Sequence, residues 1–277
     1  MREGRITVLA DNTAGASGLL AEHGLSFWVV AGSKQILFDT GQGMVFEHNA
    51  EHLEISLDLA DAIVLSHGHY DHTGGLTRAL KVAPQAKVFA HPESFRKKYA
   101  RKDNGTIRHI GIPWQSENSI QQKASQLVST NQPTEICRGV FLTGEIPRIT
   151  HFEDTGGPFF LDEECQQPDL LVDDQAMFFE AAAGTVVLLG CAHAGVVNTL
   201  NYIRQLTDDR RICAVIGGMH LVNASSERID RTIEAIEEFG IDILAPAHCT
   251  GIVATTRLWT ALAGKCVPCA VGATIEF

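Results

Sequence analysis

No apolar run in the sequence approaches the roughly 20 residues that a membrane-spanning helix needs. The start, Met1-Arg2-Glu3-Gly4, leads into a short strand-like run without the hydrophobic stretch of a secretory leader. Both absences give the expectation of a soluble, cytoplasmic protein with no membrane partner. Positive charge is scarce: 22 Lys and Arg stand against 33 Asp and Glu, a formal net charge of −11. Neutralising a phosphate backbone takes clustered cations, so a generic nucleic-acid binder is disfavoured, although a local basic pocket is not. A disulfide framework is missing as well. The seven cysteines are odd in number and scattered, as in a protein kept reduced in a cytosol. The single Cys-x-x-Cys pair, Cys266-Val267-Pro268-Cys269, has no second pair for a structural zinc. It sits in a β-leaning tail rather than at a helix start, so it reads as two unlinked thiols. Repeats, low-complexity segments and clear linkers are also absent. With 45% apolar residues the chain can bury a substantial core, and residues 1–277 are expected to form one domain.

The pattern of apolar runs and turns predicts alternating strands and helices. Arg5 to Ala10, Leu25 to Val30 and Lys34 to Asp39 read as strands, the last two joined as a hairpin by Ala31-Gly32-Ser33. A weak helix is expected over Gly43 to His52, a strand over Ala62 to Leu65, a helix over Thr73 to Ala83 and a strand over Lys87 to Ala90. From His91 to about Val140 the rhythm fades, and residues 91–140 are expected to form a cap insertion. Further strands are predicted at Cys137 to Thr143, Leu170 to Val172, Ala176 to Phe179, Thr185 to Leu189, Ile212 to Ile216 and from Ile243. Helices follow the last three, with Ser226 as a cap and Gly240 as a stop, and a terminal strand closes the chain. Such an alternation indicates a layered α/β protein.

Histidine, with twelve residues, is plentiful. Leu65-Ser66-His67-Gly68-His69-Tyr70-Asp71-His72-Thr73-Gly74-Gly75-Leu76 packs three imidazoles and a carboxylate between a buried strand and a Gly-Gly turn. A loop leaving a strand can curl so that His67 and His69 converge, with Asp71 and His72 facing a second point nearby. Nitrogen donors with one hard carboxylate suit zinc, iron, manganese or nickel better than calcium or magnesium. Three later strands also end in turns bearing histidine: His193, His220 and His248. One such histidine is usually structural; four strand ends of this kind argue for a shared site.

The dodecamer resembles the His-x-His-x-Asp-His signature of the metallo-β-lactamase superfamily. That resemblance implies an αββα sandwich, two mixed sheets flanked by helices, with the site at one sheet edge. It implies that His67, His69 and His193 hold one divalent transition-metal ion and that Asp71, His72 and His248 hold a second, zinc being the leading choice. It makes Asp39 an orienting residue, hydrogen-bonded near the metal loop, and Asp71 a group that can also pass a proton. Many members carry a bridging Asp, or a Cys, after the strand that here ends in Gly217-Gly218-Met219-His220. No acid stands there, so the second ion is expected to bind more weakly, and His220 is expected to act in the site.

Glu22-His23-Gly24-Leu25-Ser26, Leu37-Phe38-Asp39-Thr40-Gly41, Gly190-Cys191-Ala192-His193 and His248-Cys249-Thr250-Gly251 extend the resemblance over nearly the whole chain. Together they are similar to the 7,8-dihydropterin-6-methyl-4-(β-D-ribofuranosyl)aminobenzene-5'-phosphate synthase branch. The branch activity implied is condensation of a dihydropterin methyl diphosphate with an aryl ribosyl phosphate, while other branch members are known only as metal-dependent hydrolases. The leading expectation is a metal-dependent hydrolase of a small anionic, phosphorylated compound, with the condensing transferase as the alternative. A nuclease would want a basic surface. A flavin-linked di-iron protein would carry Glu in place of His69 and an added domain. A non-catalytic binding module would not need so complete a ligand set. Six of the 22 basic residues lie between Arg96 and Arg108. Lys97, Lys98 and Arg101 are therefore candidates to meet the anionic substrate, against the alternative of a solvated face. Oligomeric state is left open, a homo-oligomer included.

Overall fold

The computed structural model describes residues 4–277. Its strands are β1 (Gly4–Ala10), β2 (Ser26–Ala31), β3 (Lys34–Phe38), β4 (Ala62–Val64), β5 (Lys87–Ala90), β6 (Tyr99–Arg101), β7 (Ile107–His109) and β8 (Leu127–Ser129). They continue as β9 (Thr134–Cys137), β10 (Val140–Leu142), β11 (Phe159–Phe160), β12 (Met177–Ala181), β13 (Gly184–Leu189), β14 (Ile212–Gly218), β15 (Ile243–Ala247) and β16 (Thr274–Glu276). The helices are α1 (Phe46–His52), α2 (Tyr70–Thr73), α3 (Leu76–Val82), α4 (Trp114–Gln122), α5 (Val196–Leu206), α6 (Ser226–Phe239) and α7 (Ile252–Ala261).

One sheet has the order β16-β1-β2-β3-β4-β5-β8, a second β15-β14-β13-β12-β10-β9, and a small third sheet β11-β6-β7. The two large sheets stack, which explains the nearly continuous apolar sequence of their central strands: each strand is covered on both faces. In β2, Phe27 and Val29 enter the core between the sheets, while Trp28 faces the outer layer beneath α1 and α3. In β13, Val186 and Leu188 point inward, and Val187 and Leu189 pack under α5, α6 and α7. The architecture is the expected αββα sandwich.

Site positions follow from strand direction. β3, β4, β5 and β8 run parallel in the first sheet, and β13, β14 and β15 run parallel in the second. Their carboxyl ends open to one side, where a crevice in an open α/β sheet forms. Asp39 and His248, immediately after β3 and β15, and His220, two residues after β14, have φ of 57°, 49° and 44°, and Ala192 shortly after β13 has 52°. Left-handed backbone at a non-glycine residue costs on the order of 1–3 kcal/mol. Its recurrence after one strand of the first sheet and three adjacent strands of the second marks this rim as strained backbone.

Several expectations change. The helix expected over Thr73 to Ala83 is two helices, α2 and α3, broken at Gly74-Gly75. A Cβ on Gly74 would meet Gln42 O at 2.6 Å, and one on Gly75 would collide with Thr40 O, so the loop after β3 sits directly on this turn. Leu170 to Val172 is a turn rather than a strand, with Leu171 at φ 50° and its N–H held by Asp169. Ser225, not Ser226, caps α6 through the N–H of Arg228; Gly240 ends it in the left-handed conformation as expected. In the stretch expected as a cap, β8 joins the first large sheet and β9 the second, and α4 packs on α3. Only the β6–β7 hairpin, with β11, stands over the site. No helix among the described residues is long and apolar enough to cross a membrane.

Candidate metal centre

His67 and His69 follow β4 and converge as the loop predicts: His67 Nε2 lies 3.0 Å from His69 Nδ1. His193, after β13, brings its ring within 4.9 Å (centroids) of both. The ligand atoms of these three lie within 4.8 Å of one another, and all three side chains are buried. Asp71, from α2, approaches His248, whose Nε2 is 3.4 Å from Asp71 Oδ2. His72 sits beside them, its ring centroid 4.3 Å from that of His67 and 5.1 Å from that of His248.

The hydrogen bonds behind these rings fix which nitrogen faces the centre. Asp39 accepts from Ser66 N and Ser66 Oγ, both at 2.7 Å. The Ser66 hydroxyl, having donated, is left to accept from His67 Nδ1 at 2.9 Å. His72 Nδ1 donates to Asp39 Oδ2 at 2.7 Å, His193 Nδ1 to the carbonyl of Thr155 at 2.8 Å, and His248 Nδ1 to Asn12 Oδ1 at 2.9 Å. Four imidazoles thus spend their Nδ1 proton outward and turn an Nε2 lone pair inward. The Nε2 of His193 is buried with no hydrogen-bond partner among the described residues. An inward-facing, unpartnered lone pair of this kind is costly in a metal-free design and natural in a ligand. The residues fit a transition-metal centre.

Electrostatics agree with the donor set. Burial, helped by neighbouring imidazoles, holds His67 and His193 well below the usual histidine range, and burial takes His69 down to about 3. These rings are neutral, the form that binds metal. His72 differs: burial opposes its charge too, but the Asp39 carboxylate outweighs it and pushes the value up to about 9, so at neutral pH its inward Nε2 carries a proton that an ion would have to displace. Burial likewise disfavours ionised Asp71, yet hydrogen bonds from His23 and His248 hold its carboxyl well below the ordinary range.

His220, at the end of β14, lies with its ring 4.2 Å from that of His193. Its Nδ1 is buried and unpartnered among the described residues. Gly156 (φ 85°) packs against the imidazole so closely that a Cβ there would collide with it.

Over the centre lies a cavity of about 460 Å³ whose wall includes His23, His69, Tyr70, Asp71, Phe159 and His220. A larger cleft of about 590 Å³ by Arg5 and Phe277 has neither histidine nor cysteine in its wall. Two basic residues of the β6–β7 hairpin, Lys102 and Arg108, line the site cavity, and the Arg108 guanidinium stacks 4.5 Å over the Tyr70 ring.

The substrate candidates need correcting accordingly. Lys98 is buried, with its Nζ 2.8 Å from both Asp169 and Asp173. It anchors the hairpin rather than meeting a ligand. Arg101 pairs with Ile107 on the hairpin face opposite to Ala100 and Arg108, and its guanidinium lies over Phe160. Lys97 is exposed outside the cavity wall. The basic run was visible in the sequence; which side of a two-residue alternation faced the site was not.

Other residues of the centre escaped the sequence reading. His23 Nε2 is 3.2 Å from Asp71 Oδ2. Cys191 Sγ is 3.1 Å from His72 Nε2, and Cys249 groups with Cys191 and His248. The signal was present, since each cysteine stands within two residues of a predicted ligand.

Comparison with known proteins gives a consistent picture. Residues 34–249 match the family described as β-lactamase superfamily domain. A 7,8-dihydropterin-6-methyl-4-(β-D-ribofuranosyl)aminobenzene-5'-phosphate synthase of Methanocaldococcus jannaschii is 32% identical over 267 residues, covering 90% of this chain and 88% of that protein. An uncharacterized protein of the same organism, MJ0448, is 33% identical, covering 91% of this chain and 93% of its own. The crystal structure of Tm1679, described as a metal-dependent hydrolase of the β-lactamase superfamily, superposes with a TM-score of 0.82 at 32% identity over 99% of both chains.

Proposed function

The chain belongs to the β-lactamase superfamily and is an enzyme of it, and we propose that it hydrolyses a small anionic, phosphorylated compound with the help of bound divalent transition metals. The observation that carries this reading is the ring of imidazoles with outward-tied Nδ1 and inward Nε2, roofed by Lys102 and Arg108. His67, His69 and His193 would hold one ion, and Asp71, His72 and His248 the other. Such ions activate water at neutral pH and polarise phosphate oxygens.

The chain's own residues supply the rest. Lys102 and Arg108 attract the anion and set its orientation. Phe159 and Tyr70 give the organic part of the substrate an aromatic wall. Asp71, ionised and in contact with the half-exposed His23, can pass a proton from the centre toward solvent along the 3.2 Å contact. Asp39 acts through His72 and Ser66, not on substrate. The negative overall charge supports a small-molecule partner rather than a nucleic acid.

A second reading, diphosphate displacement by an aryl nucleophile, is favoured by one specific observation: full-length similarity to the M. jannaschii synthase. The same residues would then neutralise the leaving diphosphate. The deciding experiment measures metal content of purified protein and turnover on phosphomonoesters, phosphodiesters, lactones and a pterin diphosphate offered with an aryl ribosyl phosphate. One to two ions per chain and phosphate release from simple esters are expected, with the ion of the first position and the activity lost in a His67→Ala/His69→Ala variant. Full metal content in that variant overturns the site. Product formation only with the pterin pair replaces hydrolysis by the second reading.

A further inference from the structure

Cys191 has no part in the ligand scheme above, yet it occurs in three of the five His, Cys and Asp clusters whose ligand atoms come within 4.8 Å of one another among the described residues. One cluster joins it to His67 and His72, one to His193 and His220, and one to His248 and Cys249. A cysteine offers a single ligand atom. The same sulfur is therefore close to His67 and His193 of the first metal position and to His72 and His248 of the second.

A buried cysteine is most often a small apolar filler. Three observations separate Cys191 from that role. Its Sγ faces the inward nitrogen of His72 at 3.1 Å, rather than an apolar wall. The fully buried, unpartnered Nε2 of His193 belongs to one of the same clusters. Its neighbour Cys249 is engaged with backbone as well as with the Cys191 thiol: it accepts from His220 N at 3.3 Å and donates to the Cys191 carbonyl at 3.7 Å, contacts to main chain that Cys191 Sγ does not share among the described residues. Meanwhile β14 ends in Gly217-Gly218-Met219-His220 and brings no acid to the centre.

We infer that the Cys191 thiolate bridges the two metal positions, supplying the negative charge that the end of β14 does not. The inference rests on the metal binding proposed above. Each ion would then have four protein donors, Cys191 with His67, His69 and His193 and Cys191 with Asp71, His72 and His248, and would need a fifth position open for water or substrate. The thiol proton leaves to solvent as the sulfur binds. A sulfur bridge also biases the centre toward zinc or iron and away from manganese or magnesium, which favour oxygen.

The test uses the full chain loaded with cobalt(II), with bound metal counted by mass spectrometry and the near-ultraviolet spectrum recorded. The unaltered protein is expected to bind two cobalt ions and show a thiolate-to-cobalt charge-transfer band. Cys191→Ser should lose the band and fall toward one ion per chain, while Cys249→Ala keeps the band. A band that survives in Cys191→Ser, or is absent from cobalt-loaded unaltered protein, overturns the bridge while leaving metal binding intact. Failure to bind any cobalt overturns the metal reading itself, and the bridge with it. Should Cys191→Ser not fold, cadmium NMR of the unaltered protein decides. Two resonances shifted into the thiolate range support the bridge, and resonances confined to the nitrogen and oxygen range overturn it.

Discussion

His72 donates from Nδ1 to Oδ2 of Asp39 across 2.7 Å, and neither side chain has any exposed surface. Because Asp39 also holds Ser66, which in turn receives the Nδ1 proton of His67, one carboxylate orients donors of both metal positions. Asp39→Asn would turn an amide N–H or a weaker carbonyl toward His72. Where the N–H faces the ring, the tautomer reverses and Nε2 carries the proton instead of a lone pair. Affinity at the second position is expected to fall by about 10–100-fold. Calorimetric metal titration checks it; unchanged affinity would show that the carboxylate is not needed for orientation.

The buried cluster of Lys98, Asp169 and Asp173 yields a stability prediction. Asp173 also accepts from Gly68 N at 2.8 Å, so the cluster ties the β6–β7 hairpin to the metal loop. Lys98→Met leaves two carboxylates without their partner and should cost about 3–5 kcal/mol in urea unfolding. Burial opposes both charges, but the pairing wins: Asp173 is held below its ordinary 3.8 and Lys98 above its ordinary 10.5. The Asp173 contribution is therefore present above pH 3.8 and lost as pH falls through its lowered value. The Lys98 contribution is present below pH 10.5 and lost as pH rises through its raised value. The variant's deficit should be flat across neutral pH and shrink in strong acid. A deficit centred on pH 6 to 8 would assign the effect to histidines instead, whose ordinary value is about 6.5.

Much of this fold was legible because its central strands are covered on both faces, and apolar runs such as Thr185 to Leu189 carry that condition in their composition. The helix break at Gly74-Gly75 was harder to read, since it comes from a distant loop, Thr40 to Gln42, pressing on the turn. The metal loop was legible because all its donors lie within six residues. His23 was not, because its link to Asp71 is made only when the β1–β2 connection folds over α2. The basic run shows the same limit. Its charge was plain, but hairpin register separates Arg101 from Lys102 and Arg108, which line the cavity, and Lys98 is drawn inward by Asp169 and Asp173, carboxylates 71 and 75 residues further along the chain.

Lys102 and Arg108 are expected to guide the anionic substrate. Replacing both with Ala should raise KM and flatten its dependence on ionic strength, with metal content unchanged. Lys97→Ala, outside the cavity wall, serves as the comparison and should change neither. Kinetics of the double variant that track the unaltered protein across salt would return the hairpin to a solvated surface.

His220 offers the last prediction. Its ring lies 4.2 Å from that of His193, and its Nδ1 is buried without a partner among the described residues. A backbone-satisfied core histidine would show neither feature. Its φ of 44° complicates an alanine scan, because Ala tolerates left-handed backbone poorly. Asn adopts that conformation readily and keeps a polar head, so His220→Asn separates loss of the imidazole from backbone strain. If the ring contacts substrate or the reacting water, turnover should fall by about 10²-fold or more, the scale of a lost proton-transfer group. Metal at the first position and the urea midpoint should stay within error of the unaltered protein. A His220→Asn enzyme with full turnover would make the histidine a packing residue against Gly156 and Phe159. Loss of the first metal along with activity would instead make it a support for His193.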